Sequence, residues 1–191
     1  MELVPRFPPL DRPATYEDLM KVPDTMVAEI VGDELYANPR PALPHAHVSS
    51  SLGTLLGGPY FHGRGGPGGW WILDEPELHF GRDVLVPDLA GWRRSRLPHL
   101  PDAAYCTLSP DWVCEILSPS TASLDRAKKL AVYAREKVAH AWLIDPPGRT
   151  LEVLRLEAGR WVLLATHAHA DVVRAEPFAE TDLELGLLWA D

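Results

Sequence analysis

Short apolar runs separated by turn residues recur along the chain and predict a protein rich in β-strands. The first run is residues 26–31, followed by Gly32 and Asp33 and then residues 34–37, as in a tight hairpin. Residues 111–117 are the clearest candidate for a central strand. The other predicted strands are residues 70–73, 77–80, 84–92, 140–144, 151–156 and 161–166.

Capping residues and apolar residues at helical spacing predict two or three helices. Thr15 is a helix N-cap with Asp18 at the capping-box position, so a short helix follows and ends before Pro23. Residues 45–56 and about 124–137 carry apolar residues three and four positions apart, which is typical of amphipathic helices.

Strands mixed with helices predict an α/β fold in which helices flank a mixed, bent central sheet. The proline-rich residues 1–14 are predicted to form an extended N-terminal arm, and residues 15–191 a single domain. The glycine-rich residues 57–69 and the basic residues 93–110 are predicted loops.

Composition narrows the classes of protein that the chain can represent. With 191 residues, 46% hydrophobic and 24% charged, it is a globular domain rather than a disordered chain. A net charge of −9 argues against a protein that coats nucleic acid by its overall charge, although it is compatible with a local basic groove. Cys106 and Cys114 are too few for a disulfide framework or a four-thiolate zinc site. Without a signal-peptide pattern or an apolar run of about 18–20 residues, we expect a cytoplasmic protein with no membrane segment.

Three acidic residues stand in apolar surroundings. Glu29 lies inside the first strand, Asp88 follows Pro87 after a β-branched run, and Glu115 interrupts the predicted central strand. A buried carboxylate is costly unless it is paired or binds a metal. Each acid taken singly is also compatible with a structural or outward-facing role.

Such a set of acids suits phosphoryl chemistry. Mg²⁺ prefers carboxylate and carbonyl oxygens, so Asp88, Glu115 and the carbonyl of Ile116 are candidate ligands, and Mn²⁺ is an alternative ion. A lysine nearby would orient or deprotonate an attacking water, or stabilise the transition state.

These motifs resemble those of the PD-(D/E)xK nuclease superfamily and, more closely, the Uma-two family of bacterial restriction-endonuclease-like proteins. The specific stretches are residues 115–121 (Glu-Ile-Leu-Ser-Pro-Ser-Thr) and the helix with Lys129-Leu130-x-x-Tyr133, whereas Pro87-Asp88 alone is a weak signal. The resemblance covers about residues 15–190. The superfamily lysine normally stands two residues after the glutamate, where this chain has Leu117. The Uma-two family places it on the following helix, which matches Lys129.

The resemblance implies a restriction-endonuclease-like core and a Mg²⁺-dependent endodeoxyribonuclease that cleaves DNA with a metal-activated water. Asp88 and Glu115 would bind the metal, Glu29 would be an additional acid and Lys129 the catalytic lysine. His45 would contact a phosphate or orient a metal ligand, or simply be a polar residue at a helix start, and Lys128 is the neighbour of Lys129. Because duplex cleavage needs two active sites, a homodimer is expected.

Other functions stay open. A catalytically silent nuclease-fold module that binds nucleic acid or a protein partner would keep the fold without the reaction. A hydrolase acting on a smaller phosphoester would use the same residues. The run Arg93-Arg94-x-Arg96 is either a nucleic-acid contact or a solvated loop. His167, His169 and Asp171 imitate a zinc motif but lack the further ligands that zinc requires.

Overall fold

The computed structural model describes residues 10–189 of the 191-residue chain. Of the predicted N-terminal arm, residues 1–9 lie outside the described residues, and residues 10–14 contain no helix or strand. A mixed α/β fold is confirmed: two mixed sheets and a small two-stranded one carry the helices. In residues 10–189 no helix is both long and apolar enough to cross a bilayer.

The smaller mixed sheet has five strands: β1 (Met26–Val31), β2 (Glu34–Pro39), β4 (Glu77–Phe80), β5 (Asp83–Leu85) and β7 (Tyr105–Cys106). Their order across the sheet is β2-β1-β5-β4-β7. The predicted hairpin of β1 and β2 is confirmed, with Val31 paired to Glu34. Gly32 and Asp33 both have positive φ values, 61° and 68°, as a two-residue hairpin turn of type I′ requires.

The larger mixed sheet has six strands: β3 (Trp70–Asp74), β6 (Leu89–Arg93), β8 (Trp112–Ile116), β9 (His140–Asp145), β10 (Thr150–Glu157) and β11 (Arg160–Ala168). Their order across the sheet is β11-β10-β9-β8-β6-β3. Strands β8 and β9 run parallel, and the chain between them crosses over through helices. A separate ribbon pairs β12 (Val172–Val173) with β13 (Leu183–Glu184).

The predicted single bent sheet is therefore two sheets, and the predicted strand 84–92 is where they part. Residues 86–88 break that strand, so β5 lies in one sheet and β6 in the other. The physical reason is Pro87, which has no N–H to donate to a sheet ladder. This break also leaves Asp88 at the junction of the two sheets.

The helices include two wide turns that periodicity did not predict. The α-helices are α1 (Tyr16–Leu19), α2 (Leu43–Leu56), α3 (Ala122–Leu124) and α4 (Leu130–Arg135), and a 3₁₀-helix spans Leu185–Leu188. A π-helical turn, Gly57–Phe61, follows α2 where a loop was predicted. A second, Asp125–Lys129, interrupts the helix predicted over 124–137. It turns Asp125 and Lys129 inward, whereas Arg126 and Lys128 are exposed.

Strand β8 lies at the centre of the core because both of its faces are covered. Trp112, Cys114 and Ile116 face a cluster of aromatic and aliphatic residues on the side of α2. Val113 faces a second cluster, which includes residues from α3 and α4. By the alternation of a strand, Glu115 points to this second side.

Candidate active site

The predicted acidic residues and the predicted lysine come together around one cavity of about 360 Å³. Glu29 reaches it from β1, Glu115 from β8, and Asp88 from the junction between β5 and β6. Asp125 and Lys129 reach it from the second π-helical turn. The cavity therefore lies where the two mixed sheets meet the helical segment between β8 and β9.

Lys129 is the centre of this arrangement. Its Nζ lies 2.8 Å from Glu29 Oε1 and 3.0 Å from Glu115 Oε2, and 3.7 Å from Asp125 Oδ1. It also donates a hydrogen bond to the carbonyl of Val86 at 3.3 Å. Only 2% of the residue is exposed, so the ammonium group depends on protein partners for its solvation.

The charges around Lys129 keep it protonated. Burial alone would lower its pKa, but the negative charges of Glu115 and Glu29 outweigh this effect and raise the pKa well above its ordinary value. The arrangement therefore favours the cationic form of Lys129.

Glu115 has both carboxylate oxygens occupied. Tyr133 donates its hydroxyl to Oε1 at 2.5 Å, and Lys129 occupies Oε2. Burial raises the pKa of Glu115 well above its ordinary value; Lys129 opposes this rise, and the charges of Asp125 and Asp88 add to it. Asp125 follows the same pattern, since burial raises its pKa to about 6 against the opposing effect of Lys129.

Backbone hydrogen bonds hold the other two acids in place. The N–H of Val86 donates to Glu29 Oε1 at 2.8 Å, and the N–H of Ile116 donates to Asp88 Oδ2 at 2.6 Å. These bonds fasten the broken segment 86–88 to strands of both sheets. The break at Pro87 is thus what allows Asp88 to meet the end of β8.

His45 lies beside Asp88, near the start of α2, with its Nε2 3.2 Å from Asp88 Oδ1. Burial alone would lower the pKa of His45, but the hydrogen bond and charge of Asp88, together with a backbone hydrogen bond to Ile116, raise it. The ring atom Nδ1 is buried and has no hydrogen-bond partner among the described residues. His45 is accordingly part of the cavity wall and not only a polar helix start.

Lys128 is not brought into the cavity. It points to the other side of the turn, where it donates to Glu34 at 2.9 Å and to the hydroxyl of Tyr36 at 2.5 Å. Consecutive side chains of a helix point about 100° apart, so Lys128 and Lys129 cannot both enter the same pocket. The structure thus separates the two candidate lysines and leaves Lys129 with the acids.

The donor set is suited to a hard divalent cation. Five carboxylates, those of Glu29, Glu75, Asp88, Glu115 and Asp125, line the cavity together with Lys129 and Arg40, so acidic side chains outnumber basic ones. Within residues 10–189, no three His, Cys, Asp or Glu side chains are grouped as a ready metal site. Mg²⁺ does not need such a group, because it commonly binds one or two carboxylates and keeps several waters.

Several residues of the cavity were not among the predicted site residues. Asn38, Arg40 and Thr121 line it, and Tyr133 contacts Glu115. The sequence signal for the first two is weak: they belong to Asn-Pro-Arg-Pro, a polar and proline-rich link between a strand and a helix. Tyr133 shares a helix face with Lys129 four residues earlier, which is a signal that helical spacing does contain.

Comparison with known proteins bears on both the fold and the family. A family model described as "Putative restriction endonuclease" (Uma2) matches residues 13–188. A crystal structure of a protein from Anabaena variabilis ATCC 29413, described as a putative nuclease, superposes with a TM-score of 0.73 at 24% identity. The match covers 93% of this chain and 98% of that one, so the two share a fold. Among proteins of curated function, no significant match is found.

Proposed function

The chain belongs to the Uma2 family, and we propose that it is a metal-dependent endonuclease with a restriction-endonuclease-like core that hydrolyses DNA phosphodiester bonds. The observation that carries the proposal is the cavity itself. A protonated lysine and an excess of carboxylates, arriving from distant parts of the chain, line one pocket. Structural ion pairs do not require a cavity, whereas phosphoryl transfer does.

Asp88, Glu115 and the carbonyl of Ile116 would hold Mg²⁺, with Mn²⁺ as an alternative. When bound, the ion supplies a Lewis acid and a water of lowered pKa. In the proposed hydrolysis, the oxygen of a water molecule would bond to phosphorus while the bond from phosphorus to the sugar oxygen breaks, and the proton that this water loses would end on the released sugar oxygen.

The chain's own residues would have separate tasks in this reaction. Lys129, protonated because Glu115 and Glu29 surround it, would stabilise the negative charge that develops on the phosphoryl oxygens. Glu29 would hold Lys129 and the segment 86–88 in place through its two contacts. His45 would hold Asp88 in place through the contact between its Nε2 and Asp88 Oδ1, and would contact a phosphate of the substrate.

The test is cleavage of plasmid and single-stranded DNA in Mg²⁺ and in Mn²⁺. We expect Asp88→Ala and Glu115→Ala to reduce the rate by about a hundredfold or more, since metal ligands and their orienting partners have effects of this size. Asp182→Ala is a matched control, because Asp182 is an exposed carboxylate paired with Arg174 and does not line the cavity.

Thermal unfolding of each variant separates loss of activity from loss of fold, and Asp88→Asn and Glu115→Gln serve as folded alternatives. If Asp88 and Glu115 variants that are still folded cleave DNA as fast as the unmodified chain does, the proposed active site is wrong.

One observation favours the alternative of a catalytically silent module. Both oxygens of Glu115 already accept hydrogen bonds from Tyr133 and Lys129, so the carboxylate is satisfied by the protein alone. A protein that binds DNA at this cavity without cleaving it in either metal would support this alternative and exclude the nuclease.

A further inference from the structure

The candidate active site is a pocket of small-ligand size. Its volume of about 360 Å³ is near the lower end of the ~300–1,000 Å³ range of ligand pockets. Pro39, Pro41 and Pro119 give it stiff, apolar walls. A base that is stacked and paired inside a duplex cannot enter such a pocket, whereas one that has left the stack can.

Two buried polar atoms of cavity-lining residues, Nδ1 of His45 and Oδ1 of Asn38, have no hydrogen-bond partner among the described residues. Asn38 lies on β2 opposite Val27, and its side chain lines the cavity although only 8% of the residue is exposed. Its Oδ1 is buried without a hydrogen bond to any described residue. A buried polar atom of this kind is costly unless a ligand completes its hydrogen bonding. A carboxamide offers one acceptor and two donors, which suits the edge of a nucleobase.

Arg40 gives the cavity an accessible positive charge. Its guanidinium contacts Glu75 at 3.1 Å, with 58% of the Arg40 side chain and 39% of the Glu75 side chain exposed. Exposed pairs of this kind are weak, so a phosphate can replace Glu75 as the partner. Lys129, by contrast, is buried against carboxylates.

Two arginines of the basic run 93–96 already have protein partners. The guanidinium of Arg94 lies 3.9 Å from the ring centre of Trp71 and donates to the carbonyls of Phe61 and Trp70. Arg96 pairs with Asp111 at 2.9 Å. Proteins that bind duplexes usually neutralise several phosphates at once. The protein partners of Arg94 and Arg96 and the net charge of −9 disfavour this mode of binding.

We propose that the site acts on unpaired DNA: one nucleotide of a single strand or overhang enters the cavity, with its phosphate at Arg40 and its base against Asn38. The proposal rests on the proposed nuclease function and narrows its substrate. Since one active site is enough to cut one strand, the homodimer expected for duplex cleavage is not required.

The first experiment measures cleavage by the full chain in Mn²⁺. The substrates are an end-labelled single strand, the same strand in a blunt duplex, and the duplex with a single-stranded overhang. We expect the single strand and the overhang to be cut at least about tenfold faster than the blunt duplex, since pairing and stacking must otherwise be broken first. Equal or faster cleavage of the blunt duplex overturns the proposal and leaves the nuclease function standing.

The second experiment measures binding, so that it does not depend on turnover. Fluorescence anisotropy with labelled single strand and blunt duplex is run in Ca²⁺, which is also a hard cation bound by oxygen ligands. We expect Arg40→Ala to weaken single-strand binding at least about fivefold, as loss of a charge-assisted phosphate contact should. Arg82→Ala is the matched control: Arg82 is equally exposed, pairs with Asp33 at 3.1 Å and does not line the cavity.

Asn38→Leu tests the base contact. It should reduce the differences in affinity among oligo-dA, oligo-dC and oligo-dT, because leucine cannot hydrogen-bond to a base edge. Tight binding of the blunt duplex, or an Arg40→Ala variant that binds like Arg82→Ala, overturns the proposal. Single-strand binding that depends on Arg40, without cleavage of any substrate, supports the binding mode and refutes the nuclease function alone.

Discussion

Strand β8 separates two buried clusters of opposite character. The aromatic cluster lies on the side of Trp112 and consists of Tyr60, Trp70, Trp112, Trp142 and Phe178. The ionic cluster lies on the side of Glu115 and consists of Glu29, Glu115, Asp125, Lys129 and Tyr133. Both are almost fully removed from water, although one consists largely of ring carbon and the other carries several charges.

The aromatic cluster stabilises the fold through packing. The ring of Phe178 meets Trp112 at 4.9 Å and 81° and Trp142 at 5.6 Å and 89°, which are the edge-to-face geometries that aromatic rings prefer. Its contribution comes from apolar area removed from water, which does not depend on pH.

The ionic cluster contributes in a different way, because burying each charge carries a desolvation penalty that its partners only partly offset. Replacing such groups with apolar residues is often neutral or stabilising in other proteins. Under the proposed function, the ionic cluster would serve the reaction rather than stability. The two clusters should accordingly respond differently to substitution and to pH.

The largest expected effect is that of Lys129→Met, which removes the cation of the ionic cluster and leaves its carboxylates without a positive partner. We expect a loss of about 3–5 kcal/mol in the free energy of unfolding at pH 7, together with loss of DNA cleavage. The loss should be smaller at pH 5, because the buried acids then bind protons. Urea denaturation at both pH values measures it. Lys128→Met, on the exposed side of the same turn, should cost less than about 1 kcal/mol. If the Lys129→Met protein is as stable as the unmodified protein at pH 7, the expected role of Lys129 in the ionic cluster is wrong.

A similar loss of stability, but no loss of chemistry, is expected for Phe178→Ala. Truncating this ring in the aromatic cluster should cost about 3–5 kcal/mol, and the cost should be the same at pH 5 and pH 7. Well below the melting temperature, DNA cleavage should persist because Phe178 does not line the cavity. Leu187→Ala, at an exposed leucine, is the control and should change stability by less than about 0.5 kcal/mol. A cost of Phe178→Ala that varied with pH would contradict this account.

The smallest expected effect is the pH dependence that Asp125 causes. Its pKa is about 6 in the folded protein, against an ordinary value of 3.8, so the folded chain holds the proton more tightly than the unfolded chain does. Its contribution to stability is complete below pH 4 and is lost as the pH rises to about 6, by up to about 3 kcal/mol at about 1.4 kcal/mol per pKa unit.

We therefore expect the unmodified protein to lose stability relative to Asp125→Asn between pH 4 and pH 6.5, as measured by urea denaturation in steps of half a pH unit. A difference between the two proteins that stays constant over this range would show that Asp125 does not hold a proton in the folded state.

Local pattern was sufficient for most of the secondary structure. The alternation around Glu29 and the turn residues Gly32 and Asp33 predicted the first hairpin, and the apolar run around Glu115 predicted β8. It was not sufficient for the break at Pro87, because whether a strand with an internal proline bends or changes sheet depends on what lies beside it. The two π-helical turns were not predicted either, because the packing around a helix, and not only the spacing of its apolar residues, decides where it widens.

The sequence alone was enough to select candidate site residues. Glu29 and Glu115 were selected because a carboxylate in an apolar strand is costly, and Lys129 was selected by the family resemblance. The folded arrangement was needed to show that these acids contact Lys129 and raise its pKa, and that Asn38 and Arg40 line the same cavity. Burial and the electrostatic field at a side chain are sums over neighbours that are distant along the chain, and local sequence carries no record of those neighbours.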